Sequence, residues 1–251
     1  MISEDAAPPV GTRSRSARHI TDHRDIELPV LLRLLEQVRP SGDAELVSLR
    51  WDRAFSSLNA GTAVRLEATV TRRVPDAGPA HAAIHQSVHV VDDDDRVRSR
   101  SSVVWSAPID LSPGVAAEWE AADFASVRWG ARLRDRLSAD PAFALAARSF
   151  DGTIAFTAPD RQVHFRIYRG AVIEVARKSL DGATFAIDGP DLAWVELLGA
   201  ASNDFVRRTS EGRFRVHGSG YQYLRMIKTV MIMLDHARAL ERETVREATH
   251  A

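Results

Sequence analysis

The sequence predicts an α+β protein of two successive units, each an antiparallel sheet with helices of its own. Three observations carry this reading. The chain has 251 residues, 45% of them hydrophobic, which is more than one ordinary domain and enough apolar material for a core in each half. Between residues 19 and 108 one apolar helical signal precedes several long strand-like runs. From residue 126 to 240 the order is instead helix, several short strands, a helix punctuated by Gly189-Pro190, and a final helix rich in methionine.

The lead, residues 1–18, is polar and has no apolar run, so disorder is expected there, with neither a secretory signal nor a membrane span. A helix is predicted from Ile26 to Val38: Leu28, Leu31, Leu32, Leu34, Leu35 and Val38 give it an apolar face, and Pro40-Ser41-Gly42 ends it. Thr21 or Asp22 is the expected cap. His19, Asp22, His23 and Asp25 also offer a base with an orienting carboxylate. Leu31, Leu34 and Leu35 fit either a core or an exposed patch for a partner.

Strands follow over Ala44 to Phe55, Ala63 to Val74, His81 to Val91 and Val97 to Trp105. In the second of these Val64, Leu66, Ala68 and Val70 alternate with Arg65, Glu67, Thr69 and Thr71, the period of a half-buried strand. Asp92 to Asp95 join the last two strands. These carboxylates lack the alternating ligands and glycine of a calcium loop, so a solvated hairpin tip is expected. His81, His85 and His89 recur every fourth residue, a zinc-ligand spacing on a helix. On a strand four residues span about 13 Å, so no metal site is expected, and the three histidines are expected to line one sheet face instead.

Residues 109–125 read as a linker, with a turn at Pro113-Gly114 and Trp119 beyond it. In the second unit, residues 126–243, Val127, Trp129, Leu133, Leu137, Phe143 and Ala147 keep helical spacing, interrupted by Asp140-Pro141. Strands are predicted over Thr153 to Thr157, Gln162 to Tyr168, Ala171 to Arg177 and Ala183 to Ile187. The turns between them fall at Pro159-Asp160, Arg169-Gly170 and Asp181-Gly182. Pro190 opens a helix for which Asp188 is the expected cap. Arg213 to His217 supplies one more strand, Tyr221 to Leu240 the last helix, and residues 244–251 a tail.

Along that last helix Leu224, Ile227, Met231 and Leu234 form one stripe, widened by Tyr223, Met226, Val230 and Met233. The arc exceeds a narrow packing seam, and Met226, Met231 and Met233 are three of the chain's four methionines. Unbranched, polarizable methionines suit an adaptable ligand wall, although a core helix has the same composition.

Composition removes several function classes. A formal charge of −1 gives no field that steers nucleic acid to the molecule, so no nucleic-acid partner is expected. The absence of cysteine rules out disulfides, thiolate nucleophiles and cysteine-ligated metals, and fits a cytoplasmic protein. No GxSxG, GxxxxGK[ST] or strand-linked GxGxxG occurs, which disfavours serine-hydrolase and nucleotide-dependent chemistry, and no cofactor is expected.

The stretches FALAARSFDGTIAF, FAIDGPDLAWVELL and EGRFRVHGSGYQYLRMIKTVMIML, in that order, resemble the sterol carrier protein type 2 family over residues 126–240. The resemblance implies a mostly antiparallel five-stranded sheet covered by helices. It further implies an apolar tunnel between sheet and last helix, holding a sterol, acyl chain or other long hydrophobic molecule. In the first unit, LVSLRWDRAFSSLNAGTAVRLEATVTRRV and IHQSVHVVDDDDRVRSRSSVVW resemble the second half of the hot-dog fold of hydratases and thioesterases, with Asn59-Ala60-Gly61-Thr62 as the turn before the strand. That resemblance implies a dimer and a surface for the pantetheine arm of an acyl-CoA or carrier-protein thioester. The Asp-x-Asn-Pro-x-His segment of the hydratases is missing, so their chemistry is not carried over.

The expected function is binding of an acyl chain, polyketide, isoprenoid or sterol, with Trp129, Phe165, Trp194, Leu224, Ile227 and Met231 as pocket walls. The alternative is an enzyme of secondary or lipid metabolism that promotes cyclisation, hydration or dehydration of such a molecule, with His217, Glu174 and Tyr221 as its polar groups. Asp188 and Tyr223 are further polar groups expected to face the pocket. A third reading is a non-catalytic scaffold partner of an acyl-thioester enzyme.

Overall fold

The computed structural model describes residues 7–21, 26–52, 61–75, 81–109 and 111–250, with side chains through Glu243. The chain divides into two compact units, Met1–Ala116 and Ala117–Ala251.

The first unit contains β1 (Arg13–Arg15), β2 (His19–Ile20), α1 (Leu28–Glu36), β3 (Glu45–Asp52), β4 (Ala63–Pro75), β5 (Ala82–Asp92) and β6 (Val97–Ala107). The strands form one antiparallel sheet in the order β1-β4-β5-β6-β3, with β2 also pairing β4. Strand parity sets its faces: Leu66, Ala68, Val70, Ile84, Val88, Val90, Val103 and Trp105 are buried on one side. Leu31, Leu34 and Leu35 of α1 are buried too, so they belong to the core rather than to an exposed patch.

A buried glutamine joins helix and sheet. Gln86, 3% exposed, donates from Nε2 to the Val38 carbonyl at 3.1 Å and accepts from Trp105 Nε1 at 2.8 Å. One amide thus satisfies a carbonyl just beyond α1 and an indole N–H in the sheet, both of which would be costly to bury alone.

Three expectations for this unit change. The lead is not wholly disordered: Arg13, Ser14 and Arg15 pair with Thr69, Ala68 and Glu67 of β4. Ser16 Oγ accepts from the Leu66 N–H at 2.9 Å, so backbone pairing and one hydroxyl hold this edge without any apolar alternation. Thr21 does not cap α1, because its hydroxyl donates to the Thr62 carbonyl at 3.1 Å; Glu27 occupies the cap position, and its side chain makes no capping hydrogen bond. Asp92 is buried rather than solvated, accepting from the N–H groups of Asp94 and Arg96 and from Arg98 Nε. Burial pushes its carboxyl up, but those donors outweigh burial and hold it below the usual carboxylate value. Asp22, His23, Asp25, Phe55, Asn59 and Ala60 lie outside the described residues. His85 and His89 are half-buried on β5, on the side away from Gln86 and Val88.

The second unit follows α2 (Pro113–Ala122), which spans the division within the expected linker and half-buries Trp119. It comprises α3 (Val127–Ser138), α4 (Pro141–Ala147), β7 (Asp151–Ala158), β8 (Arg161–Tyr168), β9 (Ala171–Ala176), β10 (Phe185–Asp188), α5 (Asp191–Leu198), α6 (Phe205–Ser210), β11 (Arg215–Gly218), α7 (Gly220–Arg225) and α8 (Ile227–His250). Ser126 and Asp140 cap α3 and α4 by accepting from the N–H groups of Trp129 and Ala142, and Asp140-Pro141 separates the two helices as their chemistry dictates. The sheet order is β11-β10-β7-β8-β9, antiparallel except for the parallel pair β10 and β7. To reach that position the chain after β9 crosses the breadth of the sheet through residues 177–184.

Asp188 does not cap α5. It ends β10, and Pro190 holds the cap position without a side-chain bond. The six-residue α6 has no counterpart in the sequence reading, since so short an element shows no periodicity. The last helix is interrupted at Met226, which divides α7 from α8.

At Gly130, α3 approaches the sheet so closely that a Cβ would lie 2.7 Å from both Val163 Cγ2 and Val175 Cγ1. Gly130→Ala is therefore expected to lower unfolding stability by about 1–3 kcal/mol in chemical denaturation, through displaced strand side chains. In the first unit Gln86→Leu should lose about 2–4 kcal/mol by stranding two buried polar groups, whereas Ser102→Ala on the exposed face should stay within about 0.5 kcal/mol.

Candidate ligand layer of the second unit

The sheet of the second unit has one apolar face and one polar face. Ile154, Phe156, Val163, Phe165, Ile167, Phe185 and Ile187 are fully buried with the helices. Alternate positions put Thr153, Ala155, His164, Arg166, Glu174, Ala186 and His217 on the opposite side.

Aromatic rings fill one part of the apolar layer. Phe156 lies 6.3 Å from Trp129, 5.6 Å from Phe165 and 5.6 Å from Trp194, so three expected wall residues meet around one ring. Phe124 and Phe214 extend the cluster, each within 4.7 Å of a tryptophan. Trp194 Nε1 donates to the Thr157 carbonyl at 3.0 Å, which fixes the indole without water.

The last helical segment closes the layer. Met226, Val230, Met233, Leu234 and Ala237 are its buried stripe, while Tyr223, Ile227 and Met231 are half-buried at its margin. Leu224, expected in the wall, is 70% exposed and lies outside the layer. The apolar arc of the segment is wide and is interrupted at Met226, so spacing alone does not select the inward stripe.

α6 lies alongside this margin, held by polar contacts at its two ends. Asn203 Nδ2 donates to the Met231 carbonyl at 3.1 Å and to Asp235 at 3.0 Å. Thr209, near its other end, donates to the Phe205 carbonyl at 2.9 Å, and burial pushes the Tyr223 hydroxyl up, with Thr209 acting against it. Two buried polar atoms on the helical segment, Thr229 Oγ1 and Gln222 Oε1, have no hydrogen-bond partner among the described residues. Thr229 is 1% exposed. Gln222 belongs to α7 and Thr229 to α8, on either side of the interruption at Met226. Nothing in the sequence singles them out, because a threonine and a glutamine in an apolar run carry no motif.

The polar candidates do not meet. Glu174 is exposed on β9 opposite Arg166, and His217 is exposed on β11. Four strand spacings, on the order of 19 Å, separate them across the sheet, on the face away from the helices. Asp188 shares that polar face opposite Arg215, and Tyr221 is 72% exposed on α7. Of the polar groups expected at the pocket, only Tyr223 packs against the core.

On the polar face His164 is buried beneath the crossing segment, and its Nδ1 accepts from the Ser179 N–H at 3.2 Å. Burial, with the Lys178 charge adding to it, holds this imidazole below its ordinary value of 6.5. The unfolded chain therefore binds a proton here more readily than the folded one, so the contribution to stability is complete above 6.5 and is lost as pH falls through the folded value. Denaturation midpoints measured from about pH 7.5 to about pH 5 should fall on the acid side, and His164→Asn should flatten that part of the profile.

No model of a known protein family matches the sequence, and no curated protein matches it. Each unit nevertheless has structural counterparts. For the second unit, a sterol carrier protein 2 structure is 15% identical, covers 46% of this chain and 98% of its own, and has a TM-score of 0.42. A possible sterol carrier protein from Thermus thermophilus is 16% identical, with coverages of 47% and 90% and a TM-score of 0.40. For the first unit, a MaoC-like dehydratase from Rhodospirillum rubrum is 16% identical, with coverages of 45% and 99% and a TM-score of 0.34. The architecture itself is α+β: an early helix with an antiparallel sheet, followed by a second sheet flanked by several helices.

Proposed function

We propose that the second unit binds a hydrophobic small molecule, an acyl chain, polyketide or isoprenoid, between the last helical segment and the sheet. The observation that carries this reading is the helical segment itself. It buries Met226, Val230, Met233 and Leu234 with the sheet's apolar face, leaves Ile227 and Met231 half-buried at its margin, and buries a threonine hydroxyl that has no protein partner among the described residues. Phe165, Trp129 and Trp194 are the rigid walls, and Ile227 and Met231 flank the seam through which the ligand passes. Thr229 Oγ1 meets the ligand's polar group. Burying about ten methylenes contributes about 8 kcal/mol, which approaches the binding energy of a micromolar complex before any polar contact.

This is a binding function rather than a catalytic one. Glu174 and His217 sit at opposite sheet edges, so no substrate atom in the layer is within reach of both. For the first unit, an edge strand supports pairing with a second copy: β3 ends the sheet, and Leu46 and Val47 are exposed on it. An acyl-CoA or carrier-protein thioester is the form in which the chain would reach that unit.

Mass spectrometry of organic molecules released from protein purified from its native host tests the reading. One stoichiometric hydrophobic compound is expected, and a protein that is empty in every preparation would overturn it. Thr229→Val separates the ligand's role from the fold's. Removing an unpaired buried hydroxyl should raise unfolding stability by about 1 kcal/mol, while weakening an oxygenated ligand by about five- to tenfold in displacement titrations.

A further inference from the structure

The first half of the last helical segment exposes apolar side chains beside cations. Tyr221, Leu224 and Lys228 recur at intervals of three and four, one outward stripe on a helix. Tyr221 is 72% and Leu224 70% exposed, and Lys228 and Arg225 are exposed beside them. Val206 of α6, 54% exposed, lies between the contacts of Asn203 with Met231 and of Thr209 with Tyr223, which places it along the same seam.

The charge around this patch is one-sided. From Gly212 to Leu234 the chain has no Asp or Glu, yet it carries Arg213, Arg215, Arg225 and Lys228, in a molecule whose 34 acidic residues balance 33 basic ones. Arg215 and Lys228 are exposed, Arg225 reaches Ser149 Oγ at 3.1 Å, and Arg213 is 3.7 Å from Glu196. The acidic groups that flank the stretch are already engaged, Glu211 with Arg207 and Asp235 with Arg238 and Asn203.

We propose that this seam of α6, α7 and the start of α8 docks on an anionic lipid surface, with Tyr221, Leu224 and Val206 in the headgroup boundary and Arg225 and Lys228 on the lipid phosphates. An aromatic and an aliphatic side chain flanked by long cations is the composition that settles at a bilayer interface. The cations meet the negative surface potential and the apolar tips remove themselves from water. Among the described residues no helix is long and apolar enough to cross a membrane, so the attachment is peripheral and reversible. The inference builds on the proposed ligand layer, since docking would set the Ile227 and Met231 margin against the bilayer, where a hydrophobic molecule leaves or enters without crossing water.

Vesicle flotation of the full chain tests it, using phosphatidylcholine alone and phosphatidylcholine with about a third phosphatidylglycerol. Flotation is expected only with the anionic vesicles and should be reversed by salt. Lys228→Glu should weaken it on the order of tenfold and Leu224→Asp by a similar factor. The docking surface is overturned if the chain ignores anionic vesicles, if the two variants float as the parent does, or if it binds an acidic carrier protein while ignoring vesicles. Sedimentation equilibrium adds one more arm: a dimer that Leu224→Asp dissociates would show the patch to be a self-interface and would also overturn it. Displacement of a fluorescent fatty acid without vesicles keeps the two readings apart. Lys228→Glu should bind the probe as the parent does, and a parent that floats but never binds any probe would remove the ligand layer and leave the docking surface standing.

Discussion

The second unit depends on one face of a five-stranded sheet being kept dry by helices. Phe156 lies on the central strand β7 and touches aromatic rings from α3, β8 and α5, so the sheet and two helices share a single contact point. Strand parity then divides every other residue. Side chains in phase with Phe156 join the apolar layer, and those out of phase go to the polar face. The separation of Glu174 and His217 from the helices follows from this division and needs no further cause.

Not all of this layer was legible in the sequence. The burial of Trp129, Phe165 and Trp194 was, because large aromatic side chains are buried almost wherever they fall. The exposure of Leu224 was not, because the apolar residues from Tyr221 to Leu234 cover a wide arc broken at Met226, where a one-residue phase error costs the pattern little. Thr229 and Gln222 acquire meaning only from neighbours that fail to bond them, a property of packing and not of residue type. α6 is six residues long, below the length at which periodicity carries information.

In the first unit the alternation of Val64, Leu66, Ala68 and Val70 gave β4 its faces directly, and the leucines of α1 found that face. The edge was less legible. β1 follows no apolar pattern because a short edge strand is selected by its backbone partner, and Arg13-Ser14-Arg15 owes its place to β4. Asp92 illustrates the other limit of reading by composition. A row of four aspartates suggests solvent, yet the first of them is turned inward by the two N–H groups and the guanidinium that surround it.

The long excursion of the chain between β9 and β10 also constrains the order in which the second sheet can assemble. β7, β8 and β9 are sequential neighbours joined by tight turns, the second through Arg169 and Gly170, both in the left-handed region, so this meander closes with little loss of chain entropy. β10 instead reaches its place parallel to β7 by a crossing, and β11 pairs with β10 rather than with any strand of the meander. In chain order, the apolar layer beneath the last helical segment is the last part of the domain to be covered. The helix that forms its lid leaves the ribosome only after every surface it covers has been made.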